Sequence, residues 1–149
     1  MRAVLQRVSK ASVTVADRVI GEIDRGLLVL VGIEVGDGPD DRDYVVNKTR
    51  DARLFADADD RMNLSIGEAG GSLLVVSQFT LCGDLRKGRR PSFDQAAPPA
   101  IARILYDDML RAFRETGLPT ESGEFQAMMR VALVNDGPVT LLLDSRRRF

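Results

Sequence analysis

The sequence predicts a single-domain α+β fold, with antiparallel or mixed β-sheet forming a barrel-like core around two main helices. Three observations lead there. Residues 1–35 and the last third are rich in β-branched residues and short alternations, the pattern of half-buried strands. Only two stretches, beginning near Pro39 and Pro98, carry a helix-start signal. The length, 149 residues, suits one domain with a real core, and no repeat or linker divides it. Residues 1–149 are therefore read as one domain.

Taken in order, "AVLQRVSKASVTV" and "RVIGEIDRGLLVLVGI" read as strands, with Gly21 and Gly26 as turn or bulge points. The run Leu27–Ile33 has no polar face, so it belongs to a strand buried on both sides. It is too short to cross a bilayer. The start, "MRAVLQRV", alternates and offers no continuous apolar segment of a signal peptide. A lone cysteine, Cys82, excludes an intramolecular disulfide and fits a reducing compartment, so a cytoplasmic location is expected.

"GDGPDD" (36–41) turns into a first helix, with Asp40 or Asp41 capping its free N–H groups, that runs to about Leu54. Residues 57–71 read as a polar connector around a short strand. "SLLVVSQFTL" (72–81) is a buried strand that turns polar in its middle, and residues 82–99 have no period and read as a long loop. A second helix starts at Pro98-Pro99, with Ile101, Ile104, Leu105, Met109, Ala112 and Phe113 at helical spacing, and Gly117 and Pro119 stop it. A short strand at Thr120–Ser122 follows. Two apolar runs, Val131–Val134 and Val139–Leu143, then read as strands flanking the corner Asn135-Asp136-Gly137-Pro138.

Composition removes several chemistries. The chain has no histidine and one cysteine, which excludes Ser-His-Asp and Cys-His nucleophile systems and zinc sites built on imidazole or on several thiolates. A net charge of −1 means the whole surface is no trap for nucleic acid. "LRKGRR" (85–90) and "SRRRF" (145–149) nevertheless hold seven basic residues between them. They are either solvated loop and tail charges or a small phosphate-contacting patch. No cofactor or metal site is assigned.

Three segments interrupt the core pattern. In Ser77-Gln78-Phe79-Thr80 an apolar strand runs into polar groups that need partners or a ligand, since an unpaired buried polar group costs roughly 1–3 kcal/mol. A strand end bonded to backbone neighbours would also explain it. At the Asn135–Thr140 corner, Pro138 cannot donate and Gly137 has no side chain, so two carbonyls project in a fixed direction. A tight hairpin turn is the plainer alternative. In "SGEFQAMMRV" (122–131), Phe125, Met128 and Met129 make an adaptable apolar wall or simply fill the core.

Together "MRAVLQRVSKASV", "LLVVSQFTL", "KGRRPSF" and "SGEFQAMMRVALVNDGPVTLLLDS" occur in the order of one family. The sequence resembles the D-aminoacyl-tRNA deacylases over essentially its whole length, and no residue of the SQxT and NxGPxT motifs is missing. The resemblance implies a β-barrel-like homodimer with active sites at the interface, binding the 3′ acceptor end of aminoacyl-tRNA. It implies a cis Gly137-Pro138 unit that enters the partner's site and excludes L-aminoacyl side chains, held in place by Arg7. By the same resemblance D-aminoacyl esters would pass, and so would glycine, including glycine mischarged on tRNA(Ala). Ser77, Gln78, Phe79 and Thr80 would form the catalytic wall. Phe125, Met129, Asn135 and Thr140 would serve substrate binding and chiral selection. Water, backbone N–H groups and the ribose 2′-OH would hydrolyse the ester, with Thr80 as nucleophile the rival mechanism. Lys87, Arg89, Arg90 and Arg146, Arg147 and Arg148 become candidates for acceptor-stem phosphates, and no membrane contact is implied. A non-catalytic module for tRNA ends or D-amino acids, and a hydrolase of other aminoacyl or peptidyl esters, stay open.

Overall fold

A computed structural model describes residues 1–149. Strand β1, Arg2–Val15, is the spine of the main sheet. Its first half pairs antiparallel with β3, Gly26–Gly32, and its second half with β2, Arg18–Ile23. Beyond β3 the sheet continues in parallel through β6, Ser72–Ser77, to β7, Thr120–Ser122. The two parallel crossovers carry the helices, α1 at Pro39–Asp51 and α2 at Pro99–Glu115. A two-stranded hairpin of β4, Phe55–Ala56, and β5, Met62–Leu64, stands apart. No helix is long and apolar enough to cross a membrane.

The sheet curls until its edge strands nearly meet. A Cβ on Gly21 of β2 would lie 2.9 Å from the Ser122 carbonyl of β7, so only glycine allows that approach. Burial on both faces explains the unbroken apolar runs of β3 and β6. Leu27, Val29, Val31, Leu73 and Val75 face the helices, whereas Leu28, Leu74 and Val76 join Val8, Ala11, Val13 and Ile23 inside the curl.

Pro39 begins α1, and Asp41 reaches back to accept the Gly38 N–H at 2.9 Å. Ala102, Leu105, Tyr106, Met109, Leu110 and Phe113 form the stripe that α2 buries. Ile101 and Ile104 fall off that stripe and are exposed, unlike the sequence-based placement. Full burial of a side chain such as Phe113 contributes roughly 1.5–3 kcal/mol.

Two further differences bear on function. The strand at 72–81 ends at Ser77, and Phe79–Cys82 winds into a 3₁₀ turn. The two runs around the corner are one strand, β8, Arg130–Asp144, antiparallel to β1 along its length. Its ladder passes from Asn135, opposite Val8, to Thr140, opposite Gln6. Asp136–Val139 therefore bulge out against Arg7 alone, and the corner is an excursion from a continuous strand rather than a hairpin.

Candidate active site

Where β3 and β6 end, a cleft of about 900 Å³ opens, with a mostly apolar lining. Val31, Ile33, Val35 and Val76 form its floor, Ser77, Gln78 and Phe79 one wall, and Phe125–Met129 another. The third wall comes from the loop residues Phe93, Ala96 and Ala97 and the start of α2.

The 3₁₀ turn reaches this position because Gly32 leaves room beneath it. A Cβ at Gly32 would sit 2.9 Å from Leu81 Cβ and 3.1 Å from the Gln78 carbonyl. Leu81 N–H donates to Gln78 O at 3.2 Å, so Phe79 and Thr80 are the leading amides, which a helical turn leaves without internal partners. Thr80 is exposed, and its hydroxyl bonds the Gln78 side-chain amide. Phe79 is 59% exposed and meets Phe93 edge to face, with centroids 5.0 Å apart.

On the opposite wall Phe125 packs on Tyr106 at 5.8 Å, with the Arg103 guanidinium 5.6 Å from its ring centroid. Tyr106 donates its hydroxyl to the Val75 carbonyl at 2.9 Å. Burial, followed by the charge of Asp107, pushes the Tyr106 phenol well above its ordinary range, so it stays a neutral anchor. Met129 lines the same wall, and Met128 is almost wholly exposed.

None of Arg7, Asn135, Gly137, Pro138 or Thr140 lines this cleft. They gather instead at the β8 excursion, where the Gly137-Pro138 peptide is cis. Arg7 Nε donates to the Asp136 carbonyl at 2.9 Å and Nη1 to the Leu54 carbonyl at 2.5 Å. Asn135 Oδ1 accepts the Val139 N–H at 2.8 Å, and its Nδ2 donates to Thr140 Oγ1 at 2.9 Å. Gln6 Nε2 adds a bond to the same hydroxyl at 3.3 Å. Gly137 has φ +138°, and a Cβ there would lie 2.9 Å from Arg7 Nη2. Arg7 faces Leu27 in the strand register, four residues before Val31 of the cleft floor. At ~3.3 Å per residue that is a separation of roughly 13 Å.

Among the basic residues, Lys87, Arg89 and Arg90 sit exposed on the long loop without ion pairs. Arg86 is tied to Asp84, whose carboxyl that pairing lowers to about 2. Arg146 is held by the Val35 carbonyl at 2.7 Å and Asp37 at 2.9 Å, and Arg148 by Asp144 and Glu34. Arg147 alone of the three is exposed without an ion pair. Cys82 is buried, and burial and then the charge of Glu34 push its thiol up to about 11. A thiol so buried and neutral is a poor nucleophile.

The sequence-based site thus divides into two clusters within one chain. It also overlooked residues that shape them. Gly32, Tyr106 and Arg103 carry no motif: the strand register sets Gly32 beneath the turn, and α2 brings buried Tyr106 and exposed Arg103 against Phe125 of the cleft wall.

Comparisons with known proteins agree with this architecture. The family described as D-Tyr-tRNA(Tyr) deacylase matches residues 4–144. D-aminoacyl-tRNA deacylase of Koribacter versatilis is 54% identical over 149 residues, covering both chains completely. That of Roseiflexus sp. is 57% identical over 145 residues, covering 97% of this chain and 94% of its own. A solved structure named as a c-Myc DNA unwinding element binding protein superposes with a TM-score of 0.91 at 38% identity, covering 97% of this chain and 98% of its own. A probable eukaryotic D-amino acid tRNA deacylase shares the fold, with a TM-score of 0.78 at 20% identity over 95% and 97% of the two chains.

Proposed function

The chain belongs to the D-aminoacyl-tRNA deacylase family, and from that premise we propose that the Asn135–Thr140 corner of one subunit filters chirality in the cleft of a second copy. Family membership makes the protein a hydrolase acting on aminoacyl-tRNA, cleaving the ester that joins a D-amino acid to the tRNA. The separation of the two motif clusters is the observation that carries the proposal. The corner lies roughly 13 Å along β3 from the cleft floor, too far to act on a substrate in its own chain. Exposed Leu133, Val134, Leu141 and Leu142 and the unpaired outer edge of β8 provide a surface for a homodimer.

In that dimer the Gly137 and Pro138 carbonyls stand against the substrate's Cα. An L side chain collides with them, a D side chain points away, and glycine has none to reject. D-aminoacyl esters and glycyl-tRNA, including glycine mischarged on tRNA(Ala), are therefore the accepted substrates. Carbonyls carried by the backbone and clamped by Arg7 yield less than a flexible side chain would, which makes the rejection sharp.

Across the cleft, backbone N–H groups of the Ser77–Thr80 wall hold the developing oxyanion, and the Phe125 region takes the amino group through backbone contacts. Met129 supplies adaptable apolar contact. An aminoacyl ester is already activated, so water and the neighbouring ribose 2′-OH complete the reaction. The Thr80 hydroxyl has a neutral amide as its bonded partner, and an amide cannot take its proton. Lys87, Arg89 and Arg90 contact acceptor-stem phosphates. A second reading, nucleic-acid binding without turnover, draws on the similar DNA unwinding element binding protein. Multiple turnover of D-tyrosyl-tRNA would exclude it.

Mixed dimers test the arrangement. One protomer carries Ala102→Trp, which fills its cleft, and the other Arg7→Met, which loosens its corner. The open cleft then faces an intact corner and stays D-selective. Moving both substitutions to one protomer leaves a wild-type cleft facing a loosened corner, which admits the L-ester. Selectivity that follows the open protomer's own Arg7, or a protein that stays monomeric, overturns the proposal.

A further inference from the structure

Behind the Ser77–Thr80 wall, at the start of β1, lies a charged cluster that neither the cleft nor the corner uses. Arg2 stands between Gly32 of β3 and Asp144 of β8 in the strand register. Its Nη1 donates to the Leu81 carbonyl, within the 3₁₀ turn, at 2.9 Å. On the other side Nη2 lies 3.4 Å from Glu34 Oε1. Glu34 and Asp144 are almost fully buried, and Arg148 bridges them, with Nε 2.7 Å from Asp144 and Nη2 bonded to Glu34.

The orientation of Arg2 favours the carbonyl over its acidic neighbours. Its Nε is buried without a hydrogen bond, 3.8 Å from Asp144. Leaving a buried donor unpaired costs roughly 1–3 kcal/mol, so the group is not arranged for best pairing within the cluster. Buried ion pairs are also weak contributors to stability, since apolar side chains of similar volume often serve as well. What apolar packing does not offer is an N–H aimed at one backbone carbonyl. Leu81 directly follows Thr80, and the turn has no side chain beneath it at Gly32 to fix its height.

We propose that Arg2 is a positioning residue for the catalytic turn, clamping the Leu81 carbonyl while Glu34, Asp144 and Arg148 brace its guanidinium. This rests on the reading above that Ser77–Thr80 forms the catalytic wall. Arg2 touches no substrate and acts through the turn. Displacing a catalytic group by ~1 Å can cost about 100-fold in rate, so releasing the carbonyl should act on kcat.

The test compares Arg2→Met and Arg2→Lys with the wild-type protein, by steady-state deacylation of D-tyrosyl-tRNA and by amide exchange over residues 77–83. Lysine keeps the charge against Glu34 but loses the planar fork, so it decides the matter if the methionine variant does not fold. Expected for Arg2→Lys is a fall in kcat of about 10- to 100-fold with KM within about twofold. Faster exchange confined to residues 77–83 accompanies it. Arg148→Met, which leaves the turn untouched, gives the same signature in weaker form. A kcat within twofold of wild type, a loss expressed in KM, or exchange that rises equally through β3 and β6 overturns the proposal. Absence of turnover in the wild-type protein would defeat the functional reading instead, and exchange over 77–83 would still decide whether Arg2 holds the turn.

Discussion

Replacing Arg7 with methionine should turn a D-selective hydrolase into one that admits L-esters. Arg7 is 15% exposed and makes two hydrogen bonds to backbone carbonyls, at 2.9 Å to Asp136 and 2.5 Å to Leu54. A bond from a charged donor contributes about 1.5–3 kcal/mol, and partial solvent access favours the low end. Only the Asp136 bond reaches the excursion, the Leu54 bond serving to anchor Arg7, so the loss removes about 1.5 kcal/mol of restraint, roughly 10-fold in the balance between held and released corner. The shoulders stay in place, because Asn135 still binds Val139 N–H and Thr140. The apex should therefore loosen without unfolding β8. Single-turnover deacylation of matched D- and L-tyrosyl-tRNA measures the effect. Selectivity should fall by about 10-fold, chiefly through faster loss of the L-ester. Arg7→Lys, able to reach one carbonyl but not two, should fall between. Selectivity within threefold of wild type in Arg7→Met would refute the clamp, whatever happened to the D-ester rate.

Thr80→Ala should keep its single-turnover rate within a few-fold of wild type, since the hydroxyl has no base; loss of nearly all cleavage would make Thr80 the nucleophile. Charge reversal at Lys87, Arg89 and Arg90 should weaken tRNA binding and flatten its dependence on salt, measured by filter binding from low to physiological salt. An unchanged slope would leave those residues as solvated surface. Burial alone would raise the carboxyl pKa of Glu34 and Asp144, but the Arg148 hydrogen bonds and the neighbouring cations hold both below their ordinary values. Their stabilisation is thus present above the ordinary carboxylate range and is lost as pH falls through the lower folded values. Melting temperature should be flat from pH 8 to about 5 and drop below about pH 4. Glu34→Gln should start lower and fall less steeply, and an acid slope identical to wild type would remove Glu34 from the linkage.

Much of the fold is legible in the sequence because burial leaves a local trace. Leu27–Ile33 and Leu73–Val76 are apolar on both faces, and both strands are covered on both sides. Pro39 and Pro99 open the two helices where their rigid φ suits a first turn. The corner is harder to read. Two apolar runs around Asn-Asp-Gly-Pro look alike whether the chain reverses or bulges, and only pairing of both runs with β1 distinguishes them. The polar turn at Ser77–Thr80 signals a departure from strand but not the 3₁₀ winding, which depends on space left by Gly32, some 45 residues earlier in the chain. Least legible is the charged cluster. Arg146 and Arg148 read locally as a solvated tail, yet their partners Asp37 and Glu34 lie more than a hundred residues away in sequence. No local pattern separates a braced arginine from a free one.

Deacylation of matched D- and L-tyrosyl-tRNA by the purified wild-type protein, at neutral pH with a chelator present, tests the central claim most directly. Rapid loss of the D-ester over many turnovers with the L-ester intact is the predicted result. Equal loss of both would contradict the chirality filter, and loss of neither, with tRNA still bound, would contradict hydrolysis itself.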